Sequence, residues 1–216
     1  MEFNAGASVK AGWETFKKRP WFFIGMAIAV MAIGWLIGFV SGGVQGAVRA
    51  SGSGVGAGLL GFIVSFCLQT LLAMGTTAFY LKAHDAPESA TFEDLWHPQP
   101  YIVYLVMSAL MGLFIFIGAI FLIIPGIIVW LMILFAPYLV ISRSLGVFES
   151  FKESARITKG HRWELFIMMI LLLLINILGF ICLFVGLLVT IPVTYLAVVH
   201  AYRTLEQAAS EPVAAA

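Results

Sequence analysis

Polar side chains that could do chemistry are sparse in this sequence. Gln69, Thr70, Ser108, Asn176, Thr190 and Thr194 lie inside otherwise apolar stretches, and His200 sits near the end of the last one. Amides and hydroxyls at such depth can line a path for a neutral solute or a headgroup pocket, so Gln69, Asn176, Thr190 and Thr194 form a candidate polar pathway. The alternative is plain helix-to-helix hydrogen bonding, worth about 0.6 kcal/mol per bond in a bilayer. No Asp, Glu, Lys or Arg falls well inside an apolar stretch. Buried charge is the usual mark of ion coupling or intramembrane chemistry, and no residue is assigned a catalytic role.

A second group, His84, Asp85, Glu88, Glu93, Asp94 and His97, is rich in metal-ligating types. Its spacing fits no ligand motif such as H-E-x-x-H, and it reads as a solvated acidic loop, with no metal and no cofactor expected. Ser53 between two glycines lacks the G-x-S-x-G frame of a nucleophile elbow. Cys67 and Cys182 sit in apolar runs, where a free thiol behaves as a small hydrophobe.

The third group is basic and aromatic. On a helix from Ala5 to Arg19, ended by Pro20, one face carries Ala5, Val9, Gly12, Trp13 and Phe16; the other carries Lys10, Glu14, Lys17 and Lys18. Such a helix beside a membrane is expected to lie in the interface, each cation adding about 1 kcal/mol of attraction to anionic lipid. The competing expectation is a helix packed on the bundle. A less amphipathic stretch, Phe148 to His161, should occupy a similar position. The lipid-interface candidates are therefore Lys10, Trp13, Lys17, Lys18, Arg19, Lys152, Lys159 and Trp163.

The elements that must position these residues follow from composition. Of 216 residues 62% are hydrophobic and 11% charged, against about 25% charged in soluble domains. A soluble globular domain, a disordered tail and a nucleic-acid binder are excluded. Six charge-free stretches, about 21–40, 55–81, 101–124, 125–142, 165–185 and 186–202, match the roughly 20 residues that cross a bilayer. The first is too long for a signal-peptide core of about 7–15 residues. β-Barrel strands would be alternating segments of about ten residues, which these are not. The fold class is all-α: a single membrane domain over 1–216, with six transmembrane helices as three hairpins plus short amphipathic cytoplasmic helices. Pro125-Gly126 and Gly186 should be the turns of the second and third hairpins, because proline removes a backbone donor and glycine frees the backbone. Pro137 and Pro192 should kink their spans.

With six spans, every Lys and Arg except Arg49 falls on one side, so the positive-inside bias puts both termini in the cytoplasm. Trp21, Tyr101, Trp163, Tyr80, Tyr138 and Tyr202 flank the spans as an interfacial belt. A shift of 61 positions superposes Gly118 on Gly179, Pro125 on Gly186 and Ala136 on Ala197; a shift of 142 superposes Ser8, Lys10, Lys17 and Trp21 on Ser150, Lys152, Lys159 and Trp163. A threefold internal repeat competes here with chance matches. Ser41 to Gly58 reads as a flexible outer connection, and Thr91-Phe-Glu-Asp94 as a capping box opening a short helix. Gly34, Gly38, Gly42 and Gly46 make a small-residue stripe suited to packing within the chain or to a homodimer face.

Leu122-Ile-Ile-Pro125-Gly126-Ile-Ile, Glu153-Ser-Ala-Arg-Ile-Thr-Lys-Gly160, Pro192 and Ala201-Tyr-Arg-Thr-Leu205 resemble a broad bacterial group of six-helix inner-membrane proteins. That group is similar to the membrane domain of some glycerophosphodiester phosphodiesterases. Those enzymes keep catalysis in a separate soluble barrel, so the resemblance implies a multi-pass inner-membrane location and transfers no catalytic residue. The function expected is a non-catalytic accessory or organising component that engages membrane lipids or a partner protein at the cytoplasmic face. A small transporter or channel for a neutral or lipid-like solute is the competing expectation.

Overall fold

An apolar run in a bilayer must satisfy its backbone internally, and a helix does so residue by residue. The computed structural model describes residues 3–50, 55–96, 100–121, 123–182 and 185–210. Its α-helices are α1 (Ala5–Lys18), α2 (Pro20–Ala50), α3 (Val55–Asp85), α4 (Tyr101–Phe121), α5 (Ile123–Ile133), α6 (Ala136–Arg143), α7 (Val147–Ile157), α8 (Arg162–Ile181) and α9 (Leu187–Ser210). A 3-10 turn, Phe92–Leu95, precedes α4, and no strand occurs among the described residues. Six helical stretches are long and apolar enough to cross a membrane: Pro20–Ala47, Gly58–Asp85, Tyr101–Gly118, Gly126–Arg143, Arg162–Ile181 and Leu187–Ser210.

Two local expectations are corrected. The Gly- and Ser-rich connection does not begin at Ser41: α2 continues through Ala50. Ser41 Oγ bonds the Ile37 carbonyl at 2.6 Å, so the hydroxyl is satisfied within the helix and needs no loop to accommodate it; residues 51–54 lie outside the described set. Pro125-Gly126 is not the turn, because α5 already begins at Ile123. Proline is tolerated in a first helical turn, whose N–H groups lack partners anyway. Gly126 serves close approach instead: a Cβ built at Gly118 would stand 2.8 Å from its Cα. Gly186 does lie in the turn between α8 and α9, and a Cβ there would meet the Gly179 Cα at 2.6 Å. Both late hairpins thus close on facing glycines.

The fourth apolar stretch is broken into α5 and α6 just before Pro137, which occupies the first turn of α6. The break is filled from outside. Ser154 of α7, fully buried, donates its Oγ–H to the Met132 carbonyl at 2.7 Å and accepts the Phe135 N–H at 3.2 Å. Pro192 stays inside α9, and here the neighbour is Gly12 of α1. A Cβ at Gly12 would lie 2.8 Å from both Val193 O and Ala197 N. At the first hairpin the same role falls to the 3-10 turn, whose Leu95 carbonyl rests on Gly75 so closely that no Cβ fits.

These three contacts share one layout, a leading segment against a returning helix, although neither displacement brings Leu95 onto Ser154 or Gly12. The displacement of 61 positions carries Gly75 to Ala136 and on to Ala197; the displacement of 142 carries Gly12 to Ser154. Each leading segment therefore seats on the returning helix of the preceding hairpin, and the first seats on the last, closing a ring of contacts.

The core follows the same ring. Phe23, Phe79, Tyr80, Phe135, Leu139, Leu165, Leu196 and Tyr202 are buried together near the cation-rich ends of the hairpins. Toward the far ends, Trp35, Phe39, Phe62 and Phe116 are exposed, an arrangement stable only against an apolar surround. Within the glycine stripe, a Cβ at Gly34 would touch Leu72 of α3 at 3.6 Å, whereas one at Gly38, Gly42 or Gly46 would meet nothing within 4 Å, so among the described residues only its first member packs on a neighbouring helix.

Candidate functional site

Helices α1 and α7 each present a small-residue face inward. In α1 the buried residues are Ala5, Ser8, Gly12 and Phe16; in α7 they are Ser150, Ser154 and Ile157, followed by Thr158. Spacing of three or four residues puts each set on one face, which brings the helix close to its neighbour. The centre of the α1 inner face is therefore Ser8–Gly12, and Trp13 stands on its shoulder, 45% exposed and stacked on Phe16 at 5.7 Å. The two competing expectations for α1 are thus compatible, since it packs on the bundle through one face and leaves the other free. Helix α7 segregates its faces more sharply than α1, contrary to expectation. Its polar inner stripe consists of small hydroxyl residues that a hydrophobicity pattern alone overlooks.

The outward faces carry Lys10, Lys17 and Lys18 on α1, and Phe148 and Lys152 on α7, with Lys159 just beyond; all are exposed. Trp21 and Trp163, the first-turn residues of α2 and α8, are also exposed, at 85% and 71%.

The arginines behave differently. Arg19 Nη1 donates to the carbonyls of Pro87, Glu88 and Ala90 at 3.0, 3.2 and 3.2 Å, and its guanidinium lies over Phe22. It clamps the segment leading into the 3-10 turn. Arg203 is paired with Asp85 and donates to Glu206 at 2.8 Å. Arg143 bonds Glu206 at 2.8 Å and Glu153 at 3.4 Å, and Arg156 reaches Glu153 at 2.6 Å. Tyr202 Oη donates to Glu206 at 2.7 Å and lies 2.6 Å from Ser142 Oγ. One chain of alternating charge therefore ties α3, α6, α7 and α9 together, with the buried Glu206 at its centre. The guanidinium fork suits such fixed, multiply bonded positions, whereas lysine is a mobile point charge suited to a fluctuating surface. The hydrogen bond from Arg156, with the charge of Arg143 beyond it, holds the Glu153 carboxyl below its ordinary range. Burial raises Asp94, but hydrogen bonds from Lys82 and Thr91 outweigh it and hold that carboxyl low as well.

Sequence reasoning placed Asp85 in an acidic loop and did not single out Glu206 or Ser154. The available signals were local: Tyr202 and Glu206 at i, i+4, and Ser150, Ser154 and Thr158 in register along a charged helix. The acidic loop gathers no group of three metal-ligating side chains among the described residues, and His97 lies outside them.

Of the polar-pathway candidates, three meet between α8 and α9. Asn176 Nδ2 donates to Thr194 Oγ1 and to the Leu172 carbonyl, both at 2.8 Å, and Thr194 Oγ1 bonds the Thr190 carbonyl at 2.8 Å. Thr190 Oγ1 is buried without a partner, beside Gly179. Gln69 is elsewhere, exposed between α2 and α3 with its Nε2 3.5 Å from Gly34 O.

Comparison with known proteins gives one relation. A family described as a domain of unknown function (DUF7847) matches residues 99–215, from just before α4 to beyond α9. No curated protein and no solved structure matches the chain, and no relation to the membrane domain of glycerophosphodiester phosphodiesterases emerges.

Proposed function

The chain belongs to the DUF7847 family, a domain of unknown function, and we propose that it is a non-catalytic multi-pass membrane component that engages anionic lipid through its cation-rich face. The observation that carries this reading is the division of labour among cations. Arg19, Arg143, Arg156 and Arg203 are consumed by internal bonds, whereas Lys10, Lys17, Lys18, Lys152 and Lys159 stand exposed around Trp13, Phe148 and Trp163. Aromatic and lysine side chains held outward by anchored helices match the composition of a bilayer interface. The positive-inside bias favours a cytoplasmic position for this face; an inner-membrane location is what the sequence resemblance alone implies.

The test is lipid selectivity of the reconstituted protein, measured with spin-labelled phosphatidylglycerol against phosphatidylcholine. Preference for the anionic lipid should fall as salt rises, because surface charges are screened within about 10 Å at 0.1 M. Replacing Lys10, Lys17, Lys18, Lys152 and Lys159 together by Gln should abolish it. Unchanged selectivity in that variant would reject the reading.

A further inference from the structure

Among the arginines whose side chains the structure describes, Arg162 stands outside the internal network. Arg162, the first residue of α8, has its Nε buried with no hydrogen-bond partner. The nearest acid in sequence, Glu164, is engaged by His161 Nδ1 at 3.2 Å and does not reach it. Arg162 instead borders an open groove of about 440 Å³ between α5 and α8, otherwise lined by Ile127, Ile128, Leu131, Trp163 and Phe166. That volume falls within the range of about 300–1,000 Å³ typical of small-molecule sites. A guanidinium nitrogen removed from water without a partner is costly, and the five aliphatic and aromatic side chains around it leave it unsatisfied. An anion in the groove would give the guanidinium that borders it a charged partner that the apolar walls lack.

We propose that this groove binds one anionic glycerophospholipid, its phosphate held by Arg162 and an acyl chain lying along Ile127, Ile128, Leu131 and Phe166. The occupant follows from the two halves of the site. A free anion would leave the apolar walls bare, and a neutral chain would leave the guanidinium unmatched; a lipid phosphate with its chain satisfies both. Trp163, 71% exposed at the groove edge, is of the type that settles at headgroup level. The inference rests on the lipid-engaging reading and narrows it from a diffuse lysine surface to one defined site.

The two can be told apart by salt. The full chain, purified in mild detergent, is titrated with dioleoylphosphatidylglycerol and followed by native mass spectrometry at low and high ionic strength, with inorganic phosphate in large excess as a competitor. One lipid per chain should be retained at high salt and in the presence of phosphate. Arg162→Gln should weaken that retention about tenfold. Ile128→Trp, which fills the groove and leaves the charge in place, should weaken it comparably. Replacing Lys10, Lys17 and Lys18 by Gln should not affect it. Displacement by inorganic phosphate would make the ligand a free anion and overturn the proposal. Equal retention by wild type, Arg162→Gln and Ile128→Trp would also overturn it, even if the lysine variant loses its salt-sensitive selectivity and the broader reading stands.

Discussion

Replacing Ser154 by Ala removes two interactions at once at the break before Pro137. The hydroxyl donates to Met132 O at 2.7 Å and accepts from Phe135 N at 3.2 Å, and the side chain is fully buried. Each such bond contributes about 1 kcal/mol net, and a buried carbonyl or N–H left unpartnered costs a further 1–3 kcal/mol. Rearrangement within the break recovers part of this, so the expected loss is about 2–4 kcal/mol. For a chain of this size about 1 kcal/mol shifts the melting temperature by roughly 2–4 °C, so the midpoint should fall by about 4–16 °C. Ser150 is the internal control. It is equally buried, but its Oγ bonds only Val147 O within its own helix, at 2.7 Å. Ser150→Ala should cost no more than about 1 kcal/mol. Both variants can be followed in detergent by the decay of the monodisperse size-exclusion peak with temperature. Equal shifts for the two serines would show that α7 is held by bulk packing and that Ser154 does not plug the break.

Four further outcomes are expected. Gly75→Val should displace the 3-10 turn from α3, because its Cβ has no room beside the Leu95 carbonyl; protease sensitivity around Glu93 should rise. Gly186→Leu should lower folded yield by separating α8 from α9, since the Gly179 Cα already stands 2.6 Å from the site of a Cβ, and Gly186→Ala should be milder. Because the folded-state pKa of Glu153 is depressed, its stabilisation is present above the unfolded carboxylate range and is lost as pH falls through the folded value. Thermal midpoints should drop on acidification, and Glu153→Gln should flatten that slope. Reporter fusions after Arg143 and Arg203 should read cytoplasmic, and one near Arg49 external; an external reading at Arg143 would sink the orientation.

Much of the architecture was legible because apolar length and breakers are local signals. Pro137 and Gly186 announced their roles, and Thr91-Phe-Glu-Asp94 announced the 3-10 turn. What fills each break was not legible, because Ser154 and Gly12 act on residues of other hairpins, and small side chains carry no hydrophobic signal. Ser41 to Ala50 reads as a loop by composition, yet glycine in a helix costs only about 1 kcal/mol against alanine, too little to end a helix already propagating. Arg143 and Glu206 lie 63 positions apart, and only the ring of docked segments brings them within reach. The basic face of α1 was visible in the sequence; that its arginine turns to internal carbonyls while its lysines stay free required the structure.

A nitroxide at position 13 reports whether the docked amphipathic helices present their outer faces to the bilayer. The label is placed on Trp13→Cys in a background with Cys67 and Cys182 replaced by Ser, reconstituted in phosphatidylglycerol-containing bilayers. Power-saturation depth measurement should find it accessible to oxygen, shielded from a water-soluble nickel chelate, and shallower than a label at Phe39. Full exposure to the nickel chelate in anionic and neutral bilayers alike would place α1 in water and contradict the account.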